Sequence, residues 1–275
     1  MTPDAPHPLI AIVGPTGSGK SALALHLATI FRAEIVNCDS LQIYRYFDIG
    51  TAKITAEERA SVPHHLIDIV DPDALFTAGD YARIGRQVLA GIAARGRVPV
   101  IVGGTGFYLK ALLDGLFEGP QRDEDLRQRL LARHHIRPGV LHRLLTRFDR
   151  HAACRIHPND INKTLRALEI CLLARRPVTE LFQRGTSPLE GFQPLLIGLD
   201  PPRHQLYEVL NCRAAAMFQH GLADEIRSIL ARGYPTSSKP FESLGYKQAL
   251  AWMQGKCTLP EAIEDTQKQT RHYAK

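Results

Sequence analysis

Residues 9–31, LIAIVGPTGSGKSALALHLATIF, decide the fold. Leu9 to Val13 is a short apolar run rich in β-branched residues that glycine interrupts at once, the pattern of a strand buried on both faces of a parallel sheet. From Ser21 to Phe31, Leu23, Leu27 and Ile30 fall on one stripe at helical spacing. Between the two, Gly14-Pro15-Thr16-Gly17-Ser18-Gly19-Lys20-Ser21 satisfies G-x-x-x-x-G-K-[ST] in the strand–loop–helix context that the motif requires. Glycines let successive backbone N–H groups turn inward around an anion, and the helix start adds the positive end of its dipole. Lys20 supplies a point charge and Ser21 an oxygen for Mg²⁺. The motif predicts a loop that grips a diphosphate or triphosphate, and it is silent on which compound carries those phosphates.

Outward from this unit, strand and helix patterns alternate. Glu34 to Cys38 reads as a strand, Tyr81 to Ala94 as a helix, Val98 to Val102 as a strand, Phe107 to Leu113 as a helix, and Pro194 to Leu199 as a last strand. Such alternation predicts an α/β fold, a P-loop NTPase-like parallel sheet covered on both faces. The gap before the last strand carries helical patterns instead, at 126–134, 139–148 and 162–174, separated by Pro138, HPND at 157–160 and Arg175-Arg176-Pro177. A small helical domain is therefore expected at 119–190, inserted into a core made of 1–118 and 191–275. Its charge sets it apart: 14 Lys and Arg face 8 Asp and Glu within it, so the whole net charge of +6 sits in this segment. Localised excess of this kind points to a polyanionic partner, because Lys and Arg neutralise phosphates whatever the base sequence; the plainer alternative is a solvated helical face.

A hydrophobic share of 44% is enough for a packed interior and excludes disorder as the dominant state. Five cysteines with no Cys-x-x-Cys pair fit neither a disulfide framework nor a zinc site. No apolar run is long enough for a bilayer, and the N-terminus lacks the pattern of a secretory signal, so a cytoplasmic location is expected.

In an open α/β sheet, ligands bind beyond the carboxyl ends of the strands. Three such ends are visible: the P-loop, Asp39-Ser40, and Gly103-Gly104-Thr105-Gly106. Asp39 suits a general base or a magnesium ligand, and equally a helix cap or turn residue. Thr105, exposed by flanking glycines, suits a hydrogen-bond donor to a reacting oxygen or a simple turn role. The third strand, VPVIV, runs into GGTG without the carboxylate that often holds Mg²⁺ beside a P-loop, which weakens ordinary nucleotide hydrolysis as a reading.

These residues together resemble the tRNA dimethylallyltransferases, also called tRNA isopentenyltransferases. The matching pieces are GPTGSGKS at 14–21, DSLQIYR at 39–45, DIGTAK at 48–53, HHLIDI at 64–69, VGGTGFYLKALL at 102–113 and HPND with LRALEI at 157–170. Farther on come R-x-x-x-MF-x-x-GL-x-x-E at 213–225, LGYK at 244–247 and TRHYAK at 270–275, so the set runs in order through nearly the whole chain. The resemblance implies transfer of a dimethylallyl group from dimethylallyl diphosphate to the N6 amine of the adenine 3′ of the anticodon, in tRNAs that read codons beginning with U. It implies that Gly14 to Ser21 and Arg213 bind the diphosphate, with Mg²⁺ on Ser21. It implies that Asp39 orients the amine and takes its proton, with Thr105, Lys20 and Arg213 completing the catalytic set. Ser40, Leu41 and Gln42 match the segment around the target base. Arg127 and the stretch Asn162, Lys163, Thr164, Leu165 and Arg166 match segments that contact the tRNA. Where the family carries Arg followed by an aliphatic residue, this chain has Lys163 and Thr164, which keeps the charge and loses the bidentate geometry.

Two other classes share some of these features. A small-molecule kinase, or an enzyme prenylating free adenine nucleotides, needs the P-loop and no basic insertion. A non-catalytic RNA-binding module needs the insertion and would tolerate loss of Lys20.

Overall fold

A computed structural model describes residues 5–183 and 185–274. Lys275, which ends the TRHYAK stretch, lies outside the described residues. The elements in chain order are β1 (His7–Val13), α1 (Lys20–Phe31), β2 (Ala33–Asn37), α2 (Ala56–Ser61), β3 (His64–His65), α3 (Ala78–Ala94), β4 (Val98–Val102) and α4 (Gly106–Leu113). Then follow α5 (Glu124–Ile136), α6 (Val140–Phe148), α7 (Arg150–Arg155), α8 (Ile161–Ala174) and α9 (Val178–Gln183). The last stretch carries β5 (Phe192–Gly198), α10 (Arg203–Gln219), α11 (Leu222–Ala231), α12 (Tyr246–Met253) and α13 (Leu259–Tyr273). The chain divides into two compact units, one formed by residues up to Leu113 together with those from Leu189, the other by Asp114–Pro188. The breaks at 113/114 and 188/189 fall a few residues before the 118/119 and 190/191 boundaries that the sequence suggests.

The first unit is built on a five-stranded parallel sheet in the order β3-β2-β4-β1-β5. From β1 the chain crosses to one side and from β4 to the other, so the sheet has its switch point beside these two strands, where ligands of such folds bind. Registers Ile12↔Val102 and Asn37↔Val102 bring the carboxyl ends of β1, β2 and β4 to one level. Leu9, Ala11 and Ile12 on β1, all of β2, and Val100, Ile101 and Val102 on β4 are buried, as expected of strands covered on both sides. One side packs on α1 through Ala24 and Ala28, whose small side chains let the helix approach Ile12, Ile35 and Val100 closely.

β5 departs from the expectation of a sheet covered on both faces. It pairs with β1 along its whole length, yet Leu195 is 59% and Leu196 56% exposed. Adjacent residues of a strand point to opposite faces, so both faces of this edge are open among the described residues. β3, at the other edge, is held by its histidines: His65 Nε2 meets Glu34 Oε2 at 2.6 Å, and His64 Nδ1 meets the Val62 carbonyl at 2.6 Å. Each ring is thus tied to the sheet edge, and no group of three or more His, Cys, Asp or Glu that could hold a metal exists among the described residues. No helix among them is long and apolar enough to cross a membrane.

The second unit is helical. Its core is Leu130 of α5, Leu141 and Leu145 of α6, Leu165, Leu168 and Ile170 of α8, and Val178 and Leu181 of α9. Asp149 is buried at the corner between α6 and α7. It accepts from the Ala152 amide at 2.9 Å and from both the amide and hydroxyl of Thr179 at 2.8 and 2.5 Å; burial pushes its carboxyl up, and the bonds from Thr179 and Ala152 together outweigh it and hold the carboxyl below the usual range.

Candidate active site

The loop after β1 takes its shape from three glycines. At Gly14, φ is +150° and a Cβ would lie 2.6 Å from the Leu199 carbonyl oxygen; Gly17 and Gly19 have φ of +80° and +87°, where L side chains are strained. Gly19 caps α1 without a side chain, so the first-turn amides of the helix have no local acceptor and face the loop. Ser18 Oγ is buried without a hydrogen-bond partner, a polar group of the sort that a phosphate oxygen satisfies. Lys20 Nζ donates to the carbonyls of Gly14 at 3.0 Å and Pro15 at 2.7 Å. Burial pulls its pKa below the usual lysine value, the negative charge of Asp39 opposes that shift, and Arg213 adds to it.

Arg213, from α10, reaches the same place. It donates to Thr16 Oγ1 at 3.2 Å and to the Thr51 carbonyl at 3.3 Å, and burial lowers its pKa while Asp39 opposes the change. Two cations so close, with a single carboxylate near them, form a site that a multiply charged anion completes.

The ends of β2 and β4 are tied into one ledge. The Cys38 amide donates to the Val102 carbonyl at 2.7 Å, and the Thr105 amide to the Cys38 carbonyl at 3.1 Å. Gly103 lies so close that a Cβ there would sit 2.0 Å from the Cys38 carbonyl oxygen, so only glycine fits. Above this ledge the Asp39 carboxylate accepts from the Leu41 amide at 2.8 Å, which fixes the turn and leaves its other oxygen for a ligand. Thr105 Oγ1 accepts from the Ser40 amide at 3.0 Å and donates to Ser40 Oγ at 3.3 Å. Its hydroxyl proton therefore points at Ser40, and a substrate oxygen would have to compete for it. Beneath, Cys38 is inert: burial pushes its thiol up to about 12.

One cavity of about 820 Å³ is lined by every residue from Gly14 to Ser21, by Asp39, Ser40, Leu41 and Gln42, by Thr105 and by Arg213. Cations, backbone amides, carboxylates, hydroxyls and the Gln42 amide thus share one lining. Ser21, exposed at the start of α1, is the hydroxyl suited to a metal. Asp39 and Glu242 are the carboxylates of the lining, and so small a donor set fits Mg²⁺, which keeps waters and takes phosphate oxygens, rather than an ion that needs a full protein cage.

The cavity also takes residues that sequence reasoning left without a role. Thr266, Thr270 and Tyr273 line it from α13, and Gly50, Thr51, Ala52 and Ile54 from the loop before α2. The spacing of 266, 270 and 273 puts these three on one helical face, a signal present in the sequence although nothing local says what that face meets.

In the helical unit the expected tRNA contacts divide. Asn162 and Lys163 are exposed, Lys163 pairing with Asp160 at 2.9 Å. Thr164 and Leu165 depart from that expectation: they are 0% and 1% exposed, with their side chains inside the core. Helical geometry turns them inward with Leu168 and Cys171. Arg127 and Arg166 both pair with the fully buried Glu169, at 3.3 and 2.6 Å, and Arg166 also donates to the Pro120 carbonyl at 2.8 Å. Arg127 is mostly engaged in offsetting that buried charge; Arg166 retains some exposure. Arg129 and Arg133 of α5, and Arg143 and Arg147 of α6, stand exposed at four-residue spacing.

Comparison with known proteins meets this geometry. The profile of a family described as IPP transferase matches residues 42–275. A tRNA dimethylallyltransferase of Solibacter usitatus is 60% identical over 268 residues, 98% of this chain and 87% of that protein. The crystal structure of a tRNA isopentenylpyrophosphate transferase of Bacillus halodurans superposes with a TM-score of 0.69 at 38% identity, covering 98% of this chain and 84% of that one. A eukaryotic dimethylallyltransferase, solved acting on tRNA, gives a TM-score of 0.83 at 28% identity, covering 98% and 68%.

Proposed function

The chain belongs to the tRNA dimethylallyltransferases, enzymes of prenyl transfer to tRNA, and from that premise we propose how its cavity performs the transfer. The substrate pair is dimethylallyl diphosphate and the adenine 3′ of the anticodon in tRNAs reading codons that begin with U. The N6 nitrogen attacks the carbon bearing the diphosphate, a new C–N bond forms, the C–O bond breaks, and diphosphate leaves with the bonding electrons. The amides and hydroxyls of Gly14 to Ser21, with Lys20 and Arg213, hold the diphosphate and stabilise charge that grows on its bridging oxygen. Ser21 is the residue that would hold Mg²⁺, whose charge adds to that stabilisation. Asp39 accepts a hydrogen bond from the amine, directs its lone pair, and takes the proton that the new bond makes acidic.

Ser40, Leu41, Gln42 and Thr105 receive the base after it leaves the anticodon stack, since a stacked base cannot enter a concave site. The helical unit contributes Asn162, Lys163, Arg166 and the exposed arginines of α5 and α6 to the phosphates of the anticodon stem. The observation that carries this reading is the cavity that Lys20, Arg213 and the Asp39 carboxylate line together, with Asp39 near enough to act on the charge of both cations.

The test is direct. Purified protein with Mg²⁺, dimethylallyl diphosphate and a tRNA with an A-rich anticodon loop should yield, after nuclease digestion, an adenosine heavier by one dimethylallyl group. Lys20→Ala should abolish the product. An unmodified adenosine with the unaltered enzyme would end the proposal.

A further inference from the structure

Arg213 takes its direction from the loop before α2. Its NH2 group donates to the Thr51 carbonyl at 3.3 Å, which also accepts from Gln42 Nε2 at 3.1 Å. That carbonyl is in turn only as well placed as the loop that carries it. Three successive amides of the loop, at Asp48, Ile49 and Gly50, lie outside any helix or strand, and all three are satisfied by two side chains distant in sequence. Glu225 Oε2 of α11 accepts from Asp48 at 3.0 Å and from Ile49 at 2.8 Å. The Tyr246 hydroxyl of α12 donates to the other oxygen of Glu225 and accepts from Gly50 at 3.1 Å.

The fit around these bonds is close. A Cβ on Gly50 would lie 2.3 Å from the Tyr246 ring, so the phenol packs directly against the loop backbone. Phe47 and Phe241 pack on the same ring with centroids 4.8 and 6.3 Å away. At the far end Lys53 Nζ, fully buried, pairs with Asp48 at 2.6 Å and Asp68 at 2.7 Å and donates to the Tyr44 carbonyl at 2.8 Å. Thr51 Oγ1 closes the turn on the Phe47 carbonyl at 2.7 Å. A loop held at both ends has one position for the Thr51 carbonyl, and the guanidinium bound to it inherits that position.

We propose that Glu225 and Tyr246 are positioning residues for prenyl transfer: they hold the 48–53 loop so that the Thr51 carbonyl aims Arg213 at the leaving diphosphate. Neither touches the substrate. The proposal rests on Arg213 binding the diphosphate, and the test keeps the two ideas apart.

Tyr246→Phe removes the hydroxyl and leaves the ring in its packing, so the fold is retained while Gly50 and Glu225 each lose a partner. With tRNA saturating and the prenyl diphosphate varied, kcat/KM should fall about tenfold, the effect of losing one well-aimed hydrogen bond from Arg213 to the diphosphate. Glu225→Gln, which keeps volume and forfeits one acceptor oxygen, should act in the same direction. The decisive arm is a double-mutant cycle. With Arg213→Ala as background, Tyr246→Phe should change kcat/KM by less than about twofold, because the residue it serves is gone. The same tenfold loss in both backgrounds would show that Tyr246 supports the fold alone and would overturn the proposal. If Arg213→Ala itself leaves kcat/KM at the unaltered value, the diphosphate role of Arg213 fails and the positioning role falls with it.

Discussion

Asp39→Asn separates the chemistry of this residue from its place in the fold. The Asp39 carboxylate makes one structural bond, from the Leu41 amide at 2.8 Å, and the asparagine side-chain oxygen can accept that same bond. The turn should therefore survive, with a stability change below about 1 kcal/mol. Asp39→Ala loses that bond as well and should cost roughly 1 kcal/mol more. On activity the two should agree. An amide takes no proton at neutral pH and carries no charge opposite Lys20 and Arg213, so both variants should lose the general-base contribution, about 10²- to 10⁴-fold in kcat. Equilibrium unfolding in urea reads the first difference, and single-turnover prenylation followed by mass spectrometry of the digested tRNA reads the second. Binding of tRNA alone, by gel shift, should change little for Asp39→Asn, since one hydrogen-bonding group replaces another. An Asp39→Asn enzyme that prenylates within a factor of about three of the unaltered one, far inside the general-base range, would refute the assignment of Asp39 as proton acceptor.

Other expectations follow from particular contacts. Gly103→Ala puts a Cβ 2.0 Å from the Cys38 carbonyl, forces β2 and β4 apart at their ends, and should destabilise the protein by about 1–3 kcal/mol while displacing Asp39 and Thr105; unchanged melting and turnover would contradict that packing. Thr164→Val replaces a buried hydroxyl that has no hydrogen-bond partner, so stability should rise by about 1 kcal/mol with tRNA affinity unaltered, and weakened tRNA binding would restore Thr164 as a contact. Glu34→Gln removes the anion shared by Arg95 and His65 and should cost about 2 kcal/mol at neutral pH. Because the bond from Arg95, above all, holds the Glu34 carboxyl below its ordinary value of 4.5, that stabilisation is complete above 4.5 and disappears as pH falls through the lower folded value. The difference between Glu34→Gln and the unaltered protein should therefore shrink in acid, and a gap in unfolding free energy that is constant with pH would exclude the linkage.

Some of the site was legible because its causes are local. Gly14 to Ser21 is one short loop whose glycines supply the required backbone angles and whose helix follows at once, so eight adjacent residues specify its shape without help. Asp39 and Thr105 were legible for a related reason: a parallel strand delivers whatever follows it to the ligand edge of the sheet. Burial followed the same logic for β1, β2 and β4, and failed for β5, because an apolar run reads alike at the centre and at the edge of a sheet. In the stretch 162–166 the motif match put all five residues on the tRNA, yet the helical period turns Thr164 and Leu165 into the core and leaves Asn162 and Lys163 outside.

By itself the sequence determined the parallel α/β core, the glycine-shaped loop between β1 and α1, the basic helical unit and, through its ordered motifs, the family. The tertiary structure alone decided that Arg213 meets Thr51 across 162 positions of chain, that Glu225 and Tyr246 hold the loop between them, and that one face of α13 lines the cavity. The difference has a physical origin. Backbone angles and hydrogen-bond periodicity act between neighbours and leave a repeating mark in the sequence, whereas a contact between distant elements is chosen by how whole helices pack, and no local pattern encodes it.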